Sequence, residues 1–194
     1  MVSKQAQKSI EQFRRFAKIL SALYRSPNEM TNWRIKLFRW LVDLQGIFGP
    51  KVKGTNKEEL YINGIKTWKI STPSSDPNRI VLYFHGGAYS LGSPKSHYSL
   101  VSYLADITKT TIYVPNYRLG PESKYPSQLN DAFTVYEYLL NEKKYKSDQI
   151  AFGGDSAGGN LALVALLKLI DSDNDLPTSL ALLSPWTDLT GTGT

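Results

Sequence analysis

The stretch that decides the fold is IAFGGDSAGGN, at residues 150–160. It opens with the pattern of a buried strand and leads through glycines into an apolar helical run. The pentapeptide inside it consists of Gly154, Asp155, Ser156, Ala157 and Gly158. A Cβ atom at either flanking glycine would collide with the neighbouring strand and helix, so the turn is tight. The pattern predicts a nucleophile elbow that exposes the Ser156 hydroxyl at a helix N-terminus, where developing negative charge is stabilised.

A phosphate-binding loop is the alternative for this stretch, because glycine-rich turns between a strand and a helix also hold phosphates. That function needs a Lys-Ser or Lys-Thr pair after the glycines. Gly159 and Asn160 occupy those positions. The pentapeptide alone therefore favours the nucleophile, and a second motif is needed to decide.

The second motif is HGGAY at residues 85–89, directly after an apolar strand pattern. Acyl transfer needs N–H donors aimed at a carbonyl oxygen as it becomes an oxyanion. We expect Gly86 and Gly87 to supply two donors and Ala157 a third, with His85 supporting the loop. An ordinary Gly-Gly turn would explain HGG in isolation. The order of the two motifs, about 70 residues apart with alternating elements between them, favours the oxyanion hole.

Strand and helix patterns alternate along the chain, which predicts an α/β fold with a mostly parallel central sheet. Asn63-Gly64 joins the first two strands and is the strongest hairpin signal in the sequence. The helix at 159–170 has so few polar positions that we expect it to be buried nearly all round. Strands are predicted at 59–62, 67–70, 80–84, 111–115, 149–152 and 179–183, and helices at 96–108, 128–141 and 159–170.

Two amphipathic helices are predicted before the sheet. The first covers residues 9–25 and carries a basic face, and the second begins after Thr31 and ends by Gly46 or Gly49. Each needs an apolar surface to cover. The apolar stripe predicted for the second helix consists of Trp33, Leu37, Trp40, Leu41 and Leu44.

Taken together, these motifs resemble the hormone-sensitive-lipase-like esterases, including bacterial family IV, of the α/β-hydrolase fold. The resemblance covers roughly residues 60–190 and keeps the family's order. It rests on HGGAY (85–89), the NYRLGPE block (116–122) with Tyr125-Pro126 and Asp131, GGDSAGGN (153–160) and SPWTDL (184–189).

The resemblance implies a carboxylic-ester hydrolase acting through an acyl-Ser156 intermediate on short to medium acyl esters. It makes residues 1–55 a helical cap and residues 56–194 part of the catalytic domain, with Tyr89 in the substrate pocket. Neither a metal nor a cofactor is expected. We also expect Arg118 to pair with Glu122 behind the site, and His97 to be structural.

A histidine is absent from the positions where this fold places one. A serine nucleophile needs a general base that is oriented by a carboxylate. In the α/β-hydrolase fold these residues occur along the chain in the order serine, acid, histidine. The two histidines, His85 and His97, both precede Ser156. The sequence therefore predicts a C-terminally incomplete chain, lacking the last strands with the triad acid and histidine, and nearly inactive alone. A catalytically inactive remnant that binds an acyl ligand or a partner is the main alternative, and a peptidase or acyl transferase of the same fold is another.

Composition limits the remaining classes of protein. The chain has 194 residues and a formal charge of +6. Because it has no cysteine, disulfides and thiolate chemistry are excluded. Residues 1–60 hold 12 Lys/Arg against 5 Asp/Glu, and the basic helix at 9–25 offers a possible surface contact with an anionic membrane. Aromatic and basic residues do not interleave as in nucleic-acid surfaces. We expect a cytoplasmic protein acting on a small-molecule ester, without nucleic acid or membrane insertion, and the oligomeric state stays open.

Overall fold

The computed structural model of the chain describes residues 32–190 as an α/β sheet structure. The predicted helix at 9–25 lies outside the described residues. The helices are α1 (Asn32–Phe48), α2 (Tyr98–Thr108), α3 (Ser127–Asn141) and α4 (Ser156–Asp171), with a 3₁₀ turn at Ser147–Gln149; the strands are β1 (Asn56–Ile62), β2 (Ile65–Ser71), β3 (Asp76–Phe84), β4 (Thr110–Pro115), β5 (Ile150–Asp155) and β6 (Ser179–Leu183).

The six strands form one sheet in the order β1-β2-β4-β3-β5-β6. The β1–β2 and β2–β4 pairs are antiparallel, while β4, β3, β5 and β6 run parallel. The predicted α/β class with a mostly parallel sheet is confirmed. Because β3 and β5 are neighbours, the residues that follow their carboxyl ends meet at one edge of the sheet, where parallel α/β folds place ligand sites.

The hairpin between β1 and β2 turns at Asn63 and Gly64, as predicted. Their φ angles are 46° and 84°, and Ile62 pairs with Ile65 across the two-residue turn. Two consecutive positive φ angles match the right-handed twist of the strands, which explains why Asn-Gly is favoured there.

Helices cover both faces of the sheet, and β3 shows how the residues divide. Leu82 and Phe84 point towards α3 and α4, whereas Tyr83 points towards α2, since neighbouring side chains of a strand face opposite sides. Each face has its own buried cluster. The α3–α4 side is the larger, and it includes Tyr113, Val135, Tyr136, Phe152, Leu161 and Leu169.

Helix α1 buries a different face from the one predicted. Ile35 and Phe38 are buried and pack with Leu91, whereas Trp33 and Trp40 are 62% and 56% exposed. The prediction that the stripe with Trp33 and Trp40 faces the core is therefore wrong. Helix α1 carries two apolar stripes, and the hydrophobic period identifies residues that share a face without saying which face meets the body.

Helix α4 is also less enclosed than predicted. Ala162 and Leu169 are buried against the sheet, but Leu167 and Ile170 are 51% and 52% exposed. The helix packs on β5, β6, β3 and α3 along one side only. Strand β6 lies at the sheet edge, with Leu183 42% exposed, as expected for an edge strand. None of the described helices is long and apolar enough to cross a membrane.

Candidate active site

The junction of β5 and α4 has the geometry of the predicted elbow. Strand β5 ends at Asp155, and α4 begins at Ser156 with a φ of 50°. A Cβ atom at Gly158 would lie 2.0 Å from the carbonyl oxygen of Phe84, and one at Gly154 would lie 2.4 Å from the carbonyl oxygen of Gly158. Both glycines are therefore required by close backbone packing, and the left-handed conformation of Ser156 marks local strain.

The hydroxyl of Ser156 is only partly buried. Within residues 32–190, no side chain forms a hydrogen bond with its Oγ atom. The backbone oxygen of Ser156 accepts a hydrogen bond of 2.9 Å from the Trp186 N–H, which holds the loop after β6 against the elbow. The serine is thus positioned and partly accessible, and within residues 32–190 no general base is hydrogen-bonded to its hydroxyl.

Asp155 connects the elbow to the oxyanion loop. Its carboxylate accepts hydrogen bonds of 2.9 Å from the Tyr83 hydroxyl and 2.9 Å from the Gly86 N–H, and its Oδ1 lies 3.2 Å from His97 Nε2. Burial opposes ionisation, but the contacts with His97, Tyr83 and Gly86 outweigh it and hold the pKa of Asp155 below its usual value. Asp155 therefore ties β5, the loop after β3 and the start of α2 into one unit.

The Gly86 N–H is occupied by this contact, which differs from the expectation that it would be an oxyanion donor. The N–H groups of Gly87 and Ala88, by contrast, have no backbone or side-chain acceptor among residues 32–190. Gly87 has a φ of 126°, and its own carbonyl accepts bonds from the N–H groups of Ser90 and Leu91. The Ala157 N–H lies in the first turn of α4, where N–H groups lack intrahelical acceptors. Free donors therefore exist on both sides of the elbow. In the loop they are Gly87 and Ala88 instead of the expected Gly86 and Gly87.

His85 is fully buried beneath this loop. Its ring stacks on Tyr117 at a centroid distance of 4.3 Å, and its Nδ1 lies 2.9 Å from the Gly86 carbonyl oxygen, which fits an Nδ1–H donor. Burial, and secondarily the nearby His97, lower the pKa of His85 to about 3. The ring is therefore neutral at ordinary pH and held in place, in keeping with a role in supporting the loop.

His97, like His85, contacts residues that support the site. It precedes α2, with its Nδ1 2.8 Å from Ser96 Oγ and its Nε2 directed at Asp155. Neither histidine reaches Ser156 Oγ by a hydrogen bond. In the described part of the chain, no cluster of three His, Cys, Asp or Glu side chains could hold a metal ion.

The predicted pairing of Arg118 with Glu122 is wrong. Arg118 binds Asp131, with Nη2 to Oδ1 at 2.6 Å and Nε to both carboxylate oxygens at 3.0 Å. Glu122 instead receives two bonds of 2.8 Å from Arg39, on α1. Both partners are distant in sequence or on another element, so no local pattern could have assigned them.

A mostly apolar cavity of about 450 Å³ opens beside the elbow. Tyr89, which is predicted to lie in the substrate pocket, lines this cavity and donates a hydrogen bond of 2.6 Å to Asn160 Oδ1. Burial raises the pKa of Tyr89 to about 12. Ser156 itself is not in the cavity wall, but Asn160 lies one turn further along the same helix. Sequence reasoning assigned no pocket role to several other wall residues, which are Ser90, Gly120, Leu129, Leu161, Val164 and Leu189; Gly120 and Leu189 lie in motifs that it quoted.

A serine at a strand-to-helix elbow on a mostly parallel sheet defines the α/β-hydrolase class. The family profile described as alpha/beta hydrolase fold matches residues 81–194, which is more than half of the chain. The chain belongs to this family.

Its relatives are esterases and acetyl-hydrolases. The chain is 41% identical over 117 residues to an acetyl-hydrolase of Streptomyces hygroscopicus, covering 60% of this chain and 39% of that protein. It is 32% identical over 172 residues to an esterase of Acinetobacter venetianus, covering 89% of this chain and 56% of the relative. The chain thus spans about half the length of such relatives or less.

Solved structures agree with the sequence relatives. An esterase from the bacterial hormone-sensitive lipase family superposes with a TM-score of 0.78 at 31% identity, covering 91% of this chain and 59% of that one. The esterase EstE5, soaked with p-nitrophenyl butyrate, gives a TM-score of 0.79 at 27% identity, covering 92% and 59%. The resemblance to hormone-sensitive-lipase-like esterases is therefore confirmed.

Proposed function

We propose that the whole protein containing this chain is a carboxylic-ester hydrolase that forms an acyl intermediate on Ser156. The observation that carries the proposal is the serine's position, with a φ of 50° at the start of α4, between free N–H groups on α4 and on the loop after β3. The esterase and acetyl-hydrolase relatives support the same reaction class.

In the proposed reaction, Ser156 Oγ attacks the ester carbonyl carbon and its proton passes to a general base. The carbonyl oxygen becomes an oxyanion, and the N–H groups of Gly87, Ala88 and Ala157 are the donors that would stabilise it. Collapse of this intermediate breaks the bond to the alcohol, which leaves with the proton, and water then releases the acid by the reverse steps. The Gly86 N–H instead holds the loop on Asp155.

The general base is proposed to come from a part of the whole protein outside this chain. His85 is buried with its Nδ1 directed at the Gly86 carbonyl, and His97 faces Asp155, so neither is placed to take the proton of Ser156. The sequence contains no other histidine. A histidine and an orienting carboxylate brought next to the elbow would complete the triad.

The substrate is proposed to be an ester with a short to medium acyl chain. The neighbouring cavity of about 450 Å³ is mostly apolar and is lined by Tyr89, Leu129, Leu161 and Val164. Such a wall binds aliphatic chains, and its charged member, Lys124, is exposed to solvent. The soaking of EstE5 with p-nitrophenyl butyrate makes that ester the first one to test.

The test is hydrolysis of p-nitrophenyl butyrate by the complete protein and by its Ser156→Ala variant. We expect kcat to fall by about three to six orders of magnitude, and a fluorophosphonate to label the wild type at Ser156 only. Ser172→Ala is the matched control, because it changes an exposed serine beyond the other end of α4 and should leave both readouts unchanged. Undiminished hydrolysis in Ser156→Ala would disprove the assignment, while an inactive complete protein would favour a ligand-binding remnant.

Three further points stay predictions. They are the cap role of residues 1–55, the cytoplasmic location, and surface association through residues 9–25. Cosedimentation of the protein with anionic and with neutral vesicles tests the last of these. Binding to anionic vesicles that weakens with added salt is the expected result, because contacts between basic helices and anionic lipids are electrostatic.

A further inference from the structure

Arg39 joins helix α1 to two loops at the cavity. Its Nε donates to the Ser90 carbonyl oxygen at 2.9 Å, and its Nη2 donates to the Gly120 carbonyl oxygen at 2.9 Å. The same guanidinium makes two bonds of 2.8 Å to the carboxylate of Glu122. Only 23% of the Arg39 side chain is exposed. One residue of α1 thus makes four hydrogen bonds to segments 51 to 83 residues away in sequence.

The two carbonyls that Arg39 holds belong to two different segments of the cavity wall. Ser90 follows the oxyanion loop, and Gly120 begins the segment that continues through Ser123 and Tyr125; all four residues line the cavity. The walls also meet directly, because the Gly120 N–H donates to the Tyr89 carbonyl oxygen at 2.7 Å. The guanidinium therefore adds a second tie between the two segments, next to this direct hydrogen bond.

The geometry requires arginine rather than any cation. A planar guanidinium can donate in several fixed directions at once, whereas a lysine ammonium is a flexible point donor. The bidentate contact with Glu122 sets the plane of the fork, and the Arg39 hydrogen bond holds the pKa of Glu122 below its usual value. Glu122 therefore orients Arg39, and Arg39 orients the two carbonyls.

Helix α1 is also attached elsewhere, through the buried side chains of Ile35 and Phe38 and through Asp43, whose carboxylate accepts a hydrogen bond from Ser93 Oγ. Ser93 does not line this cavity, whereas Ser90 and Gly120 do. Arg39 is consequently the residue of α1 whose hydrogen bonds connect a shift of the helix directly to the cavity wall.

We infer that Arg39 is a positioning residue that sets the shape of the acyl cavity and, through it, the acyl-chain preference of the enzyme. This inference rests on the proposed esterase function. Removing the guanidinium leaves the Ser90 and Gly120 carbonyls without this donor and loosens the contact between the two segments, which the Gly120–Tyr89 hydrogen bond must then hold without it. The reacting atoms at Ser156 are not touched by Arg39, so the change should fall mainly on binding of the acyl chain.

The test measures kcat and KM of the complete protein for p-nitrophenyl acetate, butyrate and octanoate. For Arg39→Met we expect KM for butyrate and octanoate to rise on the order of tenfold, the size of a lost charged hydrogen bond, with kcat for acetate within about twofold. Arg39→Lys should restore the chain-length profile only in part. Glu122→Gln, which keeps an acceptor, should give a smaller rise.

Arg118→Met is the matched control, because Arg118 makes an equivalent ion pair with Asp131 away from the cavity wall. It should lower Tm and leave the chain-length profile unchanged. A uniform loss across all three esters, or the same profile in Arg39→Met and Arg118→Met, would overturn the inference. Inactivity of the wild type towards every ester would instead refute the proposed function. If Arg39→Met does not fold, the Arg39→Lys and Glu122→Gln profiles decide.

Discussion

Acidification from pH 7 to pH 5 should destabilise the native protein through His85. The ring is fully buried, and its pKa of about 3 in the native state lies far below the value of about 6.5 in an unfolded chain. At pH 5 the unfolded chain binds a proton that the native state does not. This contribution to stability is therefore complete above pH 6.5 and is lost progressively as the pH falls towards 3.

The magnitude follows from the two pKa values. Between pH 7 and pH 5, the native state should lose about 2 kcal/mol of unfolding free energy through His85 alone. The nearby Asp155 also has a shifted pKa in the native state, so the wild-type slope by itself does not isolate His85. A comparison with a variant that lacks the titrating ring removes the contribution of Asp155.

The assay is urea unfolding of the wild type and His85→Asn at pH 7 and pH 5. Asparagine can keep an N–H near the Nδ1 position that faces the Gly86 carbonyl, but it does not titrate. The baseline stability of the variant should be lower, while its loss between the two pH values should be smaller than that of the wild type by about 2 kcal/mol. His85→Phe, which keeps the stacking on Tyr117, should behave in the same way. Equal losses in the wild type and both variants would refute the reasoning.

Three further predictions concern the elbow and its supports. Gly158→Ala should lower the free energy of unfolding by about 1–3 kcal/mol or more, because its Cβ would lie 2.0 Å from the carbonyl oxygen of Phe84. Gly64→Ala should lower it by about 1 kcal/mol, because Gly64 has open space around it but a φ of 84°. Urea unfolding midpoints of the two variants test this difference. Asp155→Asn should destabilise by about 1–3 kcal/mol, seen as a lower Tm, because it weakens the acceptor shared by Tyr83 and the Gly86 N–H; an unchanged Tm would contradict this. Leu169→Ala should cost about 2–5 kcal/mol and Leu167→Ala less than about 1 kcal/mol, since only Leu169 is buried; equal costs would mean that α4 is enclosed on all sides.

The elbow shows how far local sequence signals reach. The strand, the turn and the helix are specified by neighbouring residues, and the structure places Ser156 where residues 150–160 predict it. The hairpin at Asn63 and Gly64 is predicted for the same reason, because a two-residue turn depends only on its own φ angles. Patterns contained within about ten residues were sufficient for these elements.

The oxyanion loop shows where local signals stop. HGGAY identifies a loop of small residues, but which N–H is free depends on Asp155, 69 residues further along the chain, whose carboxylate occupies the Gly86 N–H. Likewise, the buried side of α1 and the pairing of Arg39 with Glu122 depend on surfaces that exist only after the sheet has formed. Sequence periodicity assigns residues to a face without naming the partner of that face.

The sequence by itself determined the α/β class, the order of the central elements, the nucleophile position and the absence of a histidine after Ser156. Only the tertiary structure decided that Gly86 is a support rather than a free donor, that Arg118 binds Asp131, and that Arg39 spans the cavity walls. The physical reason is range. Turn geometry and strand or helix periodicity depend on residues close in the chain, whereas hydrogen-bond partners and cavity walls depend on groups that folding brings together from distant positions.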